Sequence, residues 1–198
     1  VGGSATGELC QSVEKYLGES SVKSNTLKTA IKQGRVVIQN ILPDWFRQIK
    51  RLVNFDSISK TKIRFVHEPL YGVGAGCFDQ LLKGTKCEVK TIHGDHDPNF
   101  GGISPEPVPC NYGPTSEYLK KRPADFCLVT DGDADRIGGL DGQGRALTTH
   151  QIICLLLRHF IVNRKSKGRI VKALTTTSMV DKICDAYGMP MTVTGVGF

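Results

Sequence analysis

The sequence predicts an α/β protein: a three-layer α/β/α domain with a mostly parallel mixed sheet, preceded by a helical segment. From Lys62 onward, short apolar runs typical of strands alternate with segments of helical periodicity, and this order builds a parallel sheet covered by helices. Residues 1–60 show helical spacing instead. The chain has 198 residues, of which 39% are hydrophobic, so it is long and apolar enough to bury a core.

The helical segment contains two amphipathic stretches. Apolar side chains recur at helical spacing over residues 9–17, and Gly18 supplies a stop. The polar residues 19–28 follow and are predicted to form a loop. A clearer apolar stripe runs from Leu42 to Val53, with Pro43 at the start of the helix. We expect the apolar face of this helix to dock on another part of the protein.

Strands and helices then alternate along the rest of the chain. The predicted strands cover residues 63–67, 87–92, 126–130, 137–140, 145–147, 169–174 and 191–193. The predicted helices run from the glycine turn at 72–76 through residue 82, and over residues 116–121, 150–162 and 178–187. The strand at 126–130 is continuously apolar, as expected for burial on both faces. The turn at 141–144 predicts a hairpin, and Thr148 or Thr149 is predicted to cap the helix that follows.

Composition excludes several classes of protein. The longest apolar stretch, Ile152–Leu157, is closed by Arg158 and is too short to cross a bilayer. The net charge of +7 is spread out, and its basic clusters at 120–122 and 164–169 contain no interleaved aromatic residues. The seven Cys residues show neither disulfide-framework nor zinc-site spacing, and no signal peptide is visible. We therefore expect a reduced, cytoplasmic protein with no nucleic-acid or membrane partner.

The sharpest chemical feature is the sequence Asp-Gly-Asp-Ala-Asp-Arg at residues 131–136, directly after the apolar strand. In open α/β sheets, ligands gather at the carboxyl ends of the strands. The carboxylates of Asp131, Asp133 and Asp135 alternate along the loop, so a curled backbone can turn all three inward. Oxygen ligands without His or Cys favour Mg²⁺ or another hard cation. Without a cation, the three like charges would repel one another.

An EF-hand and a plain acidic turn are the alternative interpretations of this loop. The EF-hand requires Gly at its sixth position and Glu at its twelfth, where this chain has Arg136 and Gly142. The EF-hand is therefore excluded. A solvated acidic turn without a metal remains an alternative.

Two weaker motifs lie elsewhere. The turn Gly72-x-Gly74-x-Gly76 follows a strand, but the third glycine of a dinucleotide fingerprint is replaced by Cys77. We expect this turn to let the backbone pass close to a neighbouring segment. His93 and His96 could bind a metal, although two incidental histidines in a loop are the simpler interpretation.

The loop at 131–136 resembles the metal-binding loop of the α-D-phosphohexomutases, the phosphoglucomutase/phosphomannomutase superfamily. Further segments resemble the same family in order and spacing: Phe65–Gly74, Asp97–Gly102 with Pro105–Pro107, and Gly195–Phe198. They are similar to the turn that opens the second domain, to the D-P-x-F…P-x-P loop, and to a sugar-facing loop of the third domain. The resemblance implies the end of a first domain at 1–60, a second α/β/α domain at 61–166, and the beginning of a third at 167–198.

The resemblance implies an intramolecular phosphotransferase that interconverts hexose 1-phosphate and hexose 6-phosphate, with glucose the first expectation and mannose the second. The reaction passes through a phosphoserine enzyme and a bisphosphate. Asp131, Asp133 and Asp135 would hold Mg²⁺, and Val196 and Gly197 would lie at the edge of the sugar site. Arg136 would contact phosphate or a neighbouring active-site group. The implied partners are the hexose phosphate and the remaining domains of a longer chain.

This sequence also departs from the family pattern. The nucleophilic serine of the family lies in a loop similar to T-A-S-H-N-P, and no such string is present. Ser4 is the only serine in a glycine-rich setting, and nothing beside it could act as a base. We therefore expect this chain to be a fragment that is inactive alone. The alternative is a non-catalytic phosphosugar-binding or scaffold protein that retains the metal loop.

Overall fold

The computed structural model describes residues 4–196, which separate into two compact units: residues 4–45 with residue 196, and residues 46–195. The first unit holds helices α1 (Gly7–Glu14) and α2 (Leu27–Lys32), and the hydroxyl of a preceding threonine caps each of them. Helix α1 lies where the periodicity predicts it, whereas α2 begins inside the predicted loop. A helix of six residues is too short to show a periodic stripe, so only its cap, Thr26, could have indicated it.

Helix α3 (Leu42–Leu52) confirms the second amphipathic stretch, and α4 (Phe55–Lys60) follows it. Leu42, Phe46 and Ile49 on the apolar stripe of α3 are half-buried, whereas Leu52 is exposed. Within the described part of the chain, no helix is long and apolar enough to cross a membrane.

The larger unit is built on a five-stranded mixed sheet, which confirms the α/β fold class. Its strands are β1 (Arg64–Glu68), β2 (Glu88–Thr91), β3 (Phe126–Thr130), β4 (Ile137–Asp141) and β5 (Ala146–Leu147). Their spatial order is β2-β1-β3-β4-β5. The pairs of β1 with β2 and β3 are parallel, and the hairpin predicted from the turn at 141–144 adds β4 and β5 in antiparallel orientation.

The helices of this unit are α5 (Cys77–Leu81), α6 (Gly113–Lys121), α7 (Thr149–Val162) and α8 (Met179–Tyr187). Strands β6 (Ile170–Ala173) and β7 (Met191–Thr194) form a second, parallel pair. Thr148 is the cap of α7, because its hydroxyl accepts from the Gln151 N–H while the Gln151 side chain accepts from the Thr148 N–H. These positions agree with the strand–helix order predicted from the sequence.

The apolar core lies between the sheet and α6. Its fully buried members come from β1 and the turn after it, from the start and body of α6, and from β3 and β4: Val66, Leu70, Tyr112, Leu119, Cys127, Val129 and Leu140. Cys127 is a packing residue, and burial raises the pKa of its thiol to about 12. The core therefore fixes β1 and β3 side by side, with their carboxyl ends at the same edge of the sheet.

A buried carboxylate closes the end of β1. Glu68 is fully buried, and its oxygens accept hydrogen bonds from the Leu70 N–H at 2.8 Å and from the Thr115 hydroxyl at 2.7 Å, and contact His93 Nδ1. Leu70 and Tyr71 both adopt positive φ in the turn that follows. Because a buried carboxylate requires partners, these bonds tie the turn to α6 and to the loop that carries His93.

The buried imidazole of His67 should make stability depend on pH. Burial lowers its pKa to about 4, with Asp79 partly opposing that effect. The unfolded chain therefore binds the proton more readily between pH 6.5 and 4, so stability should fall as pH drops through this range. The expected slope is about 1.4 kcal/mol for each pH unit.

Urea unfolding at about pH 7 and about pH 5 tests this prediction. His67→Gln carries no titratable ring and should lose most of the acid-side decrease. An equal decrease in the variant and the wild-type chain would contradict the assignment to His67.

Candidate metal centre

The loop at residues 131–136 connects β3 to β4 at the carboxyl end of β3. Its backbone curls on itself, since the Ala134 N–H donates to the Asp131 carbonyl at 3.1 Å and Ala134 has a φ of 61°. Asp131 itself is fully buried, whereas Asp133 and Asp135 are exposed. The loop thus presents one anchored carboxylate and two accessible ones.

The structure brings the three predicted carboxylates together. One carboxylate oxygen from each of Asp131, Asp133 and Asp135 lies within 4.8 Å of the others. Among residues 4–196, this is the one group of three or more Asp, Glu, His or Cys side chains close enough to share a metal ion. Oxygen donors alone, one of them buried, fit Mg²⁺ better than a transition metal that prefers nitrogen or sulfur.

Arg136 folds back onto the loop that it ends. Its backbone N–H donates to Asp131 Oδ1 at 3.0 Å, and its Nε–H donates to Asp131 Oδ2 at 2.7 Å. Burial by itself would raise the pKa of Asp131, but these hydrogen bonds outweigh it and hold that pKa below its usual value. Asp131 is therefore ionised at neutral pH, as a metal ligand must be.

The other end of the Arg136 guanidinium is held by Glu106. Nη1 pairs with Glu106 Oε2, and Nη2 donates to Glu106 Oε1 at 3.1 Å. This fork is bidentate, and the hydrogen bond from Arg136 to Glu106 raises the pKa of Arg136 above its already high value. In the sequence, the Pro105–Pro107 segment was identified by its two prolines. No sequence pattern identified Glu106 as the partner of Arg136.

Two neighbouring segments hold the loop at residues 131–136, the candidate metal loop, in place. The Val73 N–H donates to the Gly132 carbonyl at 3.0 Å, and the Gly132 N–H donates to the Pro105 carbonyl at 3.1 Å. A Cβ at Gly72 would lie 2.6 Å from the Gly132 carbonyl oxygen. The glycine turn after β1 therefore passes close to a neighbouring backbone, as predicted, and that neighbour is the metal loop.

A cleft of about 300 Å³ opens beside Gly132, and Tyr71, His96 and Phe100 are among the residues that line it. His93 contacts the buried Glu68 and stacks on Tyr71 with ring centroids 5.3 Å apart. Within the described residues, His93 and His96 belong to no three-ligand group. His93 therefore acts as a structural partner of Glu68.

The remaining predicted residues lie away from this loop in the sequence. Val196 is 70% exposed, and Gly197 lies outside the described residues. Ser4 is exposed. The role assigned to each of them stays a prediction.

Family models match most of the chain. The description "Phosphoglucomutase/phosphomannomutase, alpha/beta/alpha domain II" matches residues 43–144, and the corresponding domain III matches residues 148–198. The chain belongs to the phosphoglucomutase/phosphomannomutase family. This confirms the resemblance carried by the loop at 131–136 and the segments around it.

Individual members of the phosphoglucomutase/phosphomannomutase family agree. A phosphoglucosamine/phosphogalactosamine mutase of Sulfurisphaera tokodaii is 28% identical over 90% of this chain and 38% of its own length. A phosphoglucomutase/phosphomannomutase of Thermococcus kodakarensis is 27% identical over 83% of this chain and 36% of its own length. The chain therefore spans less than two fifths of the length of these relatives.

Solved structures share the fold. A protein of Thermus thermophilus superimposes with a TM-score of 0.72 at 30% identity, over 80% of this chain and 37% of its own. A phosphoglucomutase/phosphomannomutase family protein of Burkholderia thailandensis gives 0.67 at 20% identity, over 86% and 38% respectively. The second likeness is one of fold alone.

Proposed function

We propose that the protein containing this chain is an intramolecular phosphotransferase that interconverts hexose 1-phosphate and hexose 6-phosphate through a phosphoserine enzyme and a bisphosphate. The relatives are named phosphoglucomutase, phosphomannomutase and phosphoglucosamine mutase. These names support the proposal of a phosphosugar mutase, and they differ in the sugar. We take glucose as the first expected sugar and mannose as the second. The observation that carries the proposal is the convergence of three carboxylates within 4.8 Å beside Arg136.

In this proposal Asp131, Asp133 and Asp135 hold Mg²⁺. Mg²⁺ bound there supplies positive charge that neutralises the oxygens of a transferring phosphoryl group. Asp131 is the rigid member, because it is buried and accepts two hydrogen bonds from Arg136. Asp133 and Asp135 are exposed and can adjust to the ion. Arg136 donates to a phosphate oxygen through N–H groups that its protein partners leave unused.

The rest of the proposed enzyme lies outside this chain. The nucleophilic serine belongs to a first domain whose end is residues 1–60, and the sugar is gripped by loops of other domains, with Val196 and Gly197 at most at the edge. Residues 61–166 are then the second domain and residues 167–198 the beginning of the third, whereas the family models match the second domain at residues 43–144 and the third at residues 148–198. The partners are the hexose phosphate and those remaining domains, with no nucleic acid and no membrane. The proposed location is the cytoplasm.

A second candidate is a non-catalytic phosphosugar-binding or scaffold protein. Such a protein would keep the loop at residues 131–136 and would have no serine loop in any of its domains. A full-length reading frame with a serine loop upstream would favour the mutase, and one without it would favour the scaffold.

Assay of the full-length protein on glucose, mannose and glucosamine 1-phosphates tests the proposed function. We expect turnover of glucose 1-phosphate, weaker turnover of mannose 1-phosphate, and no turnover by the 198-residue chain alone, because that chain lacks the serine loop. Glucosamine 1-phosphate as the sole substrate would contradict the sugar assignment. A folded full-length protein that turns over none of the three would favour the scaffold.

A further inference from the structure

Glu106 is held rigidly beside the metal loop. It lies between Pro105 and Pro107, each of which fixes its own backbone φ. The Glu106 carbonyl accepts from the Asn111 side-chain amide at 2.8 Å, and the adjoining Pro105 carbonyl accepts from the Gly132 N–H at 3.1 Å. The Glu106 carboxylate therefore starts from a backbone that is bound directly to the metal loop.

The guanidinium of Arg136 is divided between two sets of acceptors. A guanidinium has five N–H donors. In the described structure the Nε–H points to Asp131 and Asp135, and one N–H on each of Nη1 and Nη2 is taken by Glu106. One N–H on Nη1 and one on Nη2 are left. These two are the donors left available for a phosphate oxygen.

We propose that Glu106 is a positioning residue, which holds the Arg136 guanidinium away from the metal-binding carboxylates and directs its unused N–H groups to phosphate. The proposal rests on the proposed function. The P-x-P pattern leaves its middle residue open, and this chain carries an acidic residue, Glu106, at that position. The positioning role is therefore assigned to Glu106 of this chain and not to the pattern.

Removal of Glu106 would free Nη1 and Nη2 together. Arg136 Nε is already 3.3 Å from Asp135 Oδ1, so the released fork can pair with Asp135 or with the adjacent Asp133. Those carboxylates are the accessible part of the proposed Mg²⁺ site, and a guanidinium paired with them competes with the cation. Loss of the Glu106 charge also makes the site less attractive to a divalent cation. Both effects weaken Mg²⁺ binding.

The ion pair itself should contribute little to folding. The Arg136 side chain is 57% exposed and the Glu106 side chain 41% exposed, and exposed pairs add little stability because water screens them. A Glu106→Ala protein should therefore fold like the wild type. A change in its chemistry can then be assigned to the position of Arg136.

The experiment compares full-length wild type, Glu106→Ala, Arg136→Ala, the double variant and the control Glu117→Ala. Glu117 forms an exposed pair with Lys120, well separated in the sequence from the metal loop. Hexose phosphate kinetics at saturating Mg²⁺ and calorimetric titration with MgCl₂ are measured on each. For Glu106→Ala we expect kcat to fall about tenfold, the KM for hexose phosphate to stay within about twofold, and the Kd for Mg²⁺ to rise several-fold.

The double variant separates positioning from an independent role. If Glu106 acts only through Arg136, the double variant loses no more activity than Arg136→Ala alone. Additive losses, or a Glu106→Ala protein that matches Glu117→Ala in kcat and Mg²⁺ affinity, would overturn the proposal. If the wild type turns over no hexose phosphate, the proposed function fails, and the titration still decides. A Kd for Mg²⁺ that is raised in Glu106→Ala but is no higher in the double variant than in Arg136→Ala supports positioning through Arg136. A Kd that rises equally with and without Arg136, an unchanged Kd, or no Mg²⁺ binding overturns the proposal.

Discussion

Asp133→Ala in the full-length protein should lower kcat by on the order of 10²-fold and leave the KM for hexose phosphate within about twofold. The carboxylate would hold the cation against the transferring phosphoryl group, where charge changes most in the transition state. An interaction felt mainly in the transition state lowers kcat and kcat/KM together when it is removed. Steady-state kinetics at saturating Mg²⁺ measure this loss.

Asp133 tests the metal site more specifically than Asp131 does. Asp131 is buried and accepts hydrogen bonds from Arg136, so its removal would disturb the loop as well as the metal. Asp133 is exposed, and its loss should leave the fold intact. Arg136→Ala should lower kcat less than Asp133→Ala does, because Arg136 would not bind the metal directly.

Asp56→Ala is the matched control, since Asp56 lies on α4 in an exposed pair with Lys60. It should leave kcat unchanged. If the loop is only a solvated acidic turn, Asp133→Ala would keep kcat within a few-fold and could gain stability as repulsion is relieved. A folded Asp133→Ala protein with near-normal kcat and a raised KM would contradict the metal assignment. A thermal melt verifies that each variant is folded.

Gly72→Ala should destabilise the protein by about 2 kcal/mol or more and reduce Mg²⁺-dependent activity at the same time. The added Cβ would lie 2.6 Å from the Gly132 carbonyl oxygen, 2.7 Å from the Gly132 Cα and 2.8 Å from the Asp131 carbonyl oxygen. All three are backbone atoms, so no side-chain rotation relieves the overlap. The metal loop itself must move, and the Val73 N–H bond to Gly132 must lengthen.

Gly7→Ala is the control for Gly72→Ala. Gly7 is exposed at the start of α1, and a Cβ there would meet no atom within 4 Å outside its own helix and its chain neighbours. Its free energy of unfolding, measured by urea denaturation, should stay close to that of the wild type. If the two variants unfold at the same urea concentration and retain equal activity, the close packing of the glycine turn on the metal loop is wrong.

Local sequence patterns predicted the elements that depend on local interactions. The apolar run at 126–130 predicted β3 because a strand buried on both faces has no polar face to alternate. The glycine-rich turn at 141–144 predicted the hairpin of β4 and β5. The sequence left Thr148 and Thr149 as alternative caps of α7. The structure selects Thr148, because its hydroxyl and the Gln151 side chain satisfy each other's backbone N–H groups.

Local sequence patterns could not predict contacts between residues that are far apart in the chain. Glu68 and Thr115 are 47 residues apart, and Glu106 and Arg136 are 30 residues apart. Each pair depends on the packing that brings β1, α6 and the loop at residues 131–136 together around the common core. A Glu between two prolines, or at the end of a strand, looks the same in the sequence whether it is solvated or paired.

By itself, the sequence determined the α/β fold class, the acidic loop at the carboxyl end of a buried strand, and the family that this loop resembles. These features depend on residue type and on spacing over a few residues, so they can be predicted without knowing the tertiary contacts. Only the tertiary structure decided that Asp131 is the buried member of the loop, that Gly72 packs against Gly132, and that Glu106 holds Arg136. Burial and long-range pairing depend on which segments the folded core places side by side. The spacing of residues along the chain does not show which distant segments become neighbours.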